Sequence, residues 1–194
     1  LPGLLDDLVR VEVPGTDRSG SAILVTTGYS DDYLRTQFPD GAGGSLFKLE
    51  LIYYPITSVN DDPRQPKLPL PDKVRGADLV DLGDAHEAYR WFFPIENRRG
   101  TDDYAALIRL AKRMNHEPVS IADGAAWADS LGELAELEGW LRVTAALSLA
   151  GIGDIWGWEN AHNVKLYFPS NSGGAVLLPW DLDDAWSLPP DSPL

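Results

Sequence analysis

Two short apolar runs near the end of the chain, Val164-Lys165-Leu166-Tyr167-Phe168 and Ala175-Val176-Leu177-Leu178, are joined by Pro169-Ser170-Asn171-Ser172-Gly173-Gly174. Strand-forming residues on both sides of a turn built from proline, asparagine and glycine specify an antiparallel β-hairpin. Antiparallel pairing sets the entry of the first strand beside the exit of the second. The entry is preceded by Asp154, Asn160 and Asn163, and the exit runs into Pro179-Trp180-Asp181-Leu182-Asp183. Asn163 and Asp181 are therefore expected to be neighbours in space. A lone aspartate in a glycine-rich loop, amide oxygens and an Asp-x-Asp pair at one end of a hairpin suit magnesium-dependent phosphoryl transfer. One carboxylate orients a hydroxyl or accepts its proton, and an amide oxygen and a second carboxylate hold the metal against phosphates.

On residue types alone a plainer reading stays open. Asp and Glu number 30 among 194 residues, so an Asp-x-Asp pair is common in such a chain and can be two solvated turn residues. Asn160 and Asn163 can be turn or capping residues, and Trp156, Trp158 and Trp180 ordinary core aromatics. His162 can be a satisfied, half-buried histidine.

Composition removes several classes of function. The net charge of −14 repels a nucleic-acid backbone, and the only adjacent basic pairs are Arg98-Arg99 and Lys112-Arg113, so nucleic acid is not expected as a partner. An acidic chain still binds ATP when magnesium neutralises part of both partners. The absence of cysteine excludes disulfides, thiolate zinc sites and cysteine nucleophiles, and His86, His116 and His162 are too far apart in sequence for a histidine-rich zinc site. No run of 18 apolar residues occurs, so no membrane span is expected. A hydrophobic content of 44% is enough for a continuous core.

The pattern along the chain predicts an α+β fold in two parts, residues 1–100 and 101–194. In the first part, Val9 to Val13 alternates as a half-buried strand, Ala22 to Thr26 reads as a more buried one, and Ser45 to Tyr54 as a third after the glycine turn 41–44. Asp31 to Phe38 reads as a short helix capped by Ser30, and Asn60 to Pro71, with its prolines, as a loop. In the second part, Thr101 is the expected N-cap of a helix that buries Tyr104, Leu107, Ile108, Ala111 and Met114. A further helix is expected from about Glu133 to Ala150, with Leu134, Leu137, Leu141, Ala145 and Leu149 inward, Trp140 a further candidate for that face, and Gly151 as its stop. Lys48, on the third strand, can reach ATP phosphates as a point charge or simply face solvent. Arg35 and Arg99 read as solvated surface charges.

The stretch His162-Asn163-Val164-Lys165-Leu166-Tyr167, followed by Leu177-Leu178-Pro179-Trp180-Asp181-Leu182-Asp183-Asp184-Ala185-Trp186, resembles the C-terminal signature of the spore-coat protein H (CotH) kinase family, in which an N-x-x-L-Y strand precedes P-W-D-x-D. Asp32-Tyr33-Leu34, Gly44-Ser45-Leu46-Phe47-Lys48 and Asp102 to Ile108 with Asn115 resemble other family segments in the same order, so the likeness runs from about residue 20 to 188. The resemblance implies an atypical protein-kinase-like fold that transfers the γ-phosphate of ATP, with Mg2+, to Ser/Thr hydroxyls of protein substrates of spore-coat or cell-surface type, in an extracytoplasmic setting. It implies Asp154 as the catalytic aspartate, Asn163 and Asp181 as metal ligands, Asp183 as a second aspartate beside the metal, and Lys48 at the nucleotide. The loop Gly153 to Asn163 departs from the commoner W-D-x-x-x-x-N pattern, so Glu159 or Asn160 shares the candidacy of Asp154. The family's R-x-x-G-[NS]-[ST] stretch and the lysine strand after it are missing, and the chain opens on Leu1-Pro2-Gly3. The expectation is thus a domain with an incomplete N-terminal lobe. Two other functions are carried beside the kinase: a non-catalytic surface binding or adhesion module of the same fold, and a calcium- or carbohydrate-binding domain.

Overall fold

A computed structural model describes residues 6–12, 14–15, 21–58, 67–75, 78–116, 120–152, 162–171, 173–182 and 185–186. In chain order the elements are β1 (Asp6–Val11), β2 (Ser21–Thr26), α1 (Asp31–Gln37), β3 (Ser45–Lys48), β4 (Ile52–Ser58), β5 (Lys67–Arg75), α2 (Glu87–Arg90), α3 (Ala105–Met114), α4 (Ile121–Gly132), α5 (Leu137–Leu149), β6 (Val164–Phe168) and β7 (Val176–Pro179). The fold is mixed α+β, and every strand pair is antiparallel.

The predicted hairpin is β6 and β7, with Val164 opposite Pro179 and Tyr167 opposite Val176. On its other side β6 pairs with β3, giving the order β3-β6-β7. The chain adds a further edge beside β3. Lys48 and Glu50 donate backbone N–H bonds to Pro94 and Phe92, and Glu96 donates to Leu46, all at 2.9–3.0 Å.

All five residues of β6 are buried, which requires cover on both faces of the sheet. Phe47, Leu166, Phe168 and Leu177 face the larger core, against Leu107, Leu110 and Ala111 of α3 and Trp140, Val143 and Leu147 of α5. Leu46, Tyr167 and Leu178 face a smaller core under α1, with Tyr29, Tyr33 and Leu34. α1 forms where expected, and the Ser30 hydroxyl accepts the Tyr33 N–H at 3.3 Å.

Other expectations are corrected. The run from Ser45 to Tyr54 is two strands, since β3 ends at Lys48 and β4 pairs with β5 in a separate ribbon. The first strand spans Asp6–Val11 rather than residues 9–13, and Val25 of β2 is exposed, not buried. Part of the expected proline loop is strand: β5 holds Pro69 and Pro71, tolerated because both strands of a two-stranded ribbon are edges. Thr101 sits in a 3₁₀ turn, and the Asp103 carboxylate, not Thr101, accepts the N–H of Ala105 at 3.0 Å. The expected helix from Glu133 begins only at Leu137, and α4 precedes it. On α5 the inward stripe is Trp140, Val143 and Leu147, whereas Leu141 and Leu149 are exposed.

Tyr167 ties the smaller core to the turn before β3. Its hydroxyl donates to the Gly41 carbonyl at 2.7 Å, accepts the Gly44 N–H at 3.1 Å, and lies 3.2 Å from the Asp40 carboxylate. Burial is the main cause that pushes its pKa from 10.0 up to about 12. Burial raises Tyr33, Tyr89 and Tyr104 in the same direction. Unfolded chains therefore release these protons at lower pH than the folded protein. The stability is full below pH 10 and falls as pH climbs toward 12, with Tyr167 alone accounting for roughly 2 kcal/mol. Urea unfolding at pH 9 and pH 11.5 should show that fall, and Tyr167→Phe should make it shallower. An equal fall in the variant would remove Tyr167 as a cause.

Candidate functional site

The open end of the β6–β7 hairpin brings Asn163 and Asp181 toward each other, as the register requires. The Trp180 N–H donates to the Asn163 carbonyl at 2.8 Å, closing the ladder one residue before Asp181. Both residues leave their strands in the left-handed region, with φ of 55° at Asn163 and 57° at Asp181. Asn and Asp are the non-glycine residues that adopt this conformation most readily. Two such residues flanking one strand end turn the chain sharply away from the sheet on both sides. Asn163 is buried and Asp181 is exposed. The carboxylate thus meets solvent, while the amide belongs to the wall behind it.

Beneath this end lies a group of charges on the α1 face of the sheet. Lys165 stands one strand position inward, only 5% exposed. Its ammonium pairs with Glu96 at 2.5 Å and lies 4.1 Å from the Trp180 ring centroid and 5.7 Å from that of Tyr29. Lys48 is its direct cross-strand partner. Like charges directly opposite one another destabilise a sheet, and here each is matched by its own carboxylate: Lys48 meets Glu50 at 2.7 Å. The Tyr29 hydroxyl donates to the Pro179 carbonyl at 2.5 Å, which fixes β7 just before Trp180. A cation held against the indole and a tyrosine on the preceding carbonyl leave little freedom to the segment that presents Asp181.

Lys48 is about a third exposed and engaged with Glu50, so it is neither free in solvent nor unpaired. Arg35 lies on the surface against Asp31 and Asp32, as expected, and Arg99 donates to the Ile95 carbonyl. Asp154, Glu159, Asn160 and Asp183 fall outside the described residues, as do Trp156 and Trp158. Of the expected constellation, the structure therefore describes Asn163, Asp181 and Lys48. Sequence reasoning passed over Lys165, Glu96 and Tyr29. A lysine inside the otherwise apolar V-K-L-Y-F strand was the available signal, since a lysine on a fully covered strand must be paired.

Among the described residues no cluster of three or more His, Asp or Glu side chains could hold a metal. This end of the hairpin offers one carboxylate with an amide beside it. That donor set suits a cation that keeps most of its water and phosphate ligands, and not one that needs a cage of protein oxygens. No protein-family model and no curated protein matches the chain.

Proposed function

We propose that the chain is a kinase-like domain of the CotH type, or part of one, that binds ATP with Mg2+ at the open end of the β6–β7 hairpin and passes the γ-phosphate to a Ser/Thr hydroxyl of a protein. The observation that carries this reading is the pair Asn163 and Asp181, both left-handed and joined through the Trp180–Asn163 hydrogen bond. Left-handed non-glycine residues are found at functional sites as well as at turns, and Asn and Asp take that conformation at the least cost. The donor set fits magnesium shared with a nucleotide, for which one or two carboxylates suffice while phosphates and water complete the octahedron. The ion would supply charge neutralisation at the phosphates. Asp181 would hold it, with the Asn163 amide as the second protein oxygen, and Trp180 and Lys165 would keep Asp181 in place. Lys48, about a third exposed, would have to exchange Glu50 for a phosphate oxygen to act on the nucleotide.

A second reading keeps the fold without the chemistry. Leu141 and Leu149 are 72% and 60% exposed on one side of α5, and Trp186, 76% exposed, donates its backbone N–H to the Ala150 carbonyl at the end of that helix. Exposed apolar side chains of this size favour an adhesion surface. Among the described residues no helix is long and apolar enough to cross a membrane.

Thermal unfolding with ATP, with magnesium, and with both separates the two. At a ligand concentration of about 100 times Kd, the complex gains roughly 2.7 kcal/mol. For a chain of this size that raises Tm by roughly 5–10 °C. The kinase reading expects the shift only when ATP and magnesium are present together. No shift under any condition would leave the adhesion surface as the better account.

A further inference from the structure

With 30 acidic residues against 16 Lys and Arg, this chain has a carboxylate within easy reach of almost any cation. Nearly every lysine or arginine whose side chain is described meets a carboxylate or a backbone carbonyl. Arg109 and Arg113 are the exceptions, since neither guanidinium has an ion pair or hydrogen bond among the described residues. They lie one turn apart on α3 and line the same cleft, about 450 Å³ in volume, between α3 and α4. Lys112, His116, Ser130 and Glu133 complete the polar lining, and Leu134 the apolar one. Past Arg109, Glu133 and Leu134, the cleft continues into a depression that reaches Pro169, Ser170 and Gly173 in the hairpin loop.

A helix C-terminus attracts cations, which accounts for Arg113 in the last turn of α3. It does not account for Arg109 in the turn before, nor for two guanidinium groups one turn apart that have no partner among the described residues. Two planar donor forks on one wall match the oxygens of a phosphate dianion better than they match a single carboxylate. Glu133 also lines the cleft and Asp123 lies 3.9 Å from His116, so the anion must be held by the two guanidinium groups against one neighbouring carboxylate.

We propose that the α3–α4 cleft binds a phosphate monoester, carried on a phosphorylated side chain of a polypeptide whose extended backbone follows the depression toward the hairpin loop. The site involves neither Asn163 nor Asp181 and needs no nucleotide, so it stands or falls apart from the phosphotransferase reading.

The test is fluorescence anisotropy of a labelled phosphoserine peptide, without ATP or magnesium, against its serine and glutamate counterparts. Wild type should bind the phosphopeptide at least tenfold tighter than either counterpart, and inorganic phosphate should compete. Arg109→Gln/Arg113→Gln should lose at least tenfold, with an unchanged circular dichroism spectrum. Arg142→Gln, which alters a cation paired with Glu138 on α5, should match wild type. Equal affinity for the three peptides, or an unaffected double variant, would overturn the proposal. Inorganic phosphate binding as tightly as the phosphopeptide would overturn the polypeptide as its source.

Discussion

Gly44→Ala is expected to lower the stability of the fold by about 3 kcal/mol, the cost of forcing an extra group into a well-packed interior. Gly44 sits where the turn enters β3, pressed against the end of β6. A Cβ there would overlap the Phe168 carbonyl oxygen and lie 2.8 Å from the Tyr167 hydroxyl. Neither neighbour can yield cheaply. The carbonyl is backbone at the end of the central strand. The hydroxyl already bonds the Gly44 N–H and the Gly41 carbonyl, while the Gly44 carbonyl accepts the Asn97 amide at 3.1 Å. Relief would require β3 to move off β6, which breaks the ladder that carries Lys48 and Lys165. Tm should fall by roughly 6–12 °C. Gly28→Ala is the matched control, because a Cβ at Gly28 meets nothing within 4 Å. Its Tm should stay within about 2 °C of wild type. If the two variants melt together, the close approach at Gly44 does not hold the sheet.

What the sequence disclosed about this sheet, and what it withheld, follows from the range of the interactions. The β6–β7 hairpin was legible because a local turn with two glycines and a proline separates its strands, and pairing across such a turn needs no distant information. From it the closeness of Asn163 and Asp181 followed directly. The division between β3 and β4 was not legible. Residues 45–54 read as one strand-like run, and its division follows from partners that are not local: residues 46–50 bond the segment Phe92 to Glu96 and β6, whereas β4 pairs with β5. The break before α5 has a similar cause. Ala135 bridges Ala175, Glu136 donates to the Ala175 carbonyl, and Ala175 donates to Leu134. Those bonds to the hairpin draw residues 134–136 out of a helix that their own propensities would continue.

The α5 face shows a different limit. Leu141, Ala145 and Leu149 form one apolar stripe at helical spacing, and Trp140, Val143 and Leu147 form another. Periodicity ranks them equally. The difference is non-local: Trp140 packs under the hairpin and its indole N–H donates to the Ala175 carbonyl at 2.7 Å. That bond goes with burial of Trp140, Val143 and Leu147 in the larger core, and it leaves Leu141 and Leu149 in solvent. The candidate site divides in the same way. Asn163 and Asp181 end the two strands that one local turn pairs, and their closeness could be read. Lys165 and Glu96, which support Trp180 from neighbouring strands, meet only after the sheet has formed.

Asp181→Asn is expected to abolish the magnesium-dependent part of nucleotide binding while leaving the fold intact. The two side chains are nearly isosteric, Asp181 is exposed, and asparagine tolerates a φ of 57° as readily as aspartate. The unliganded Tm should therefore stay within about 2 °C of wild type. Asp181→Ala would confound the comparison, since alanine in the left-handed region costs about 1 kcal/mol of its own. What Asn lacks is the full negative charge that offsets a divalent cation. Removing one electrostatic contact to the transferring group costs about 10²–10³ in rate. Phosphate transfer from ATP to a protein acceptor, measured under saturating nucleotide, should fall by at least that factor. The joint ATP and magnesium shift in Tm should shrink with it. A variant that transfers phosphate at the wild-type rate would exclude Asp181 as the metal ligand and move the search for one to the segment between Gly153 and Ala161. A wild-type chain that shifts with neither ligand and transfers nothing would count against the kinase reading itself. The exposed side of α5 would then be the feature to pursue.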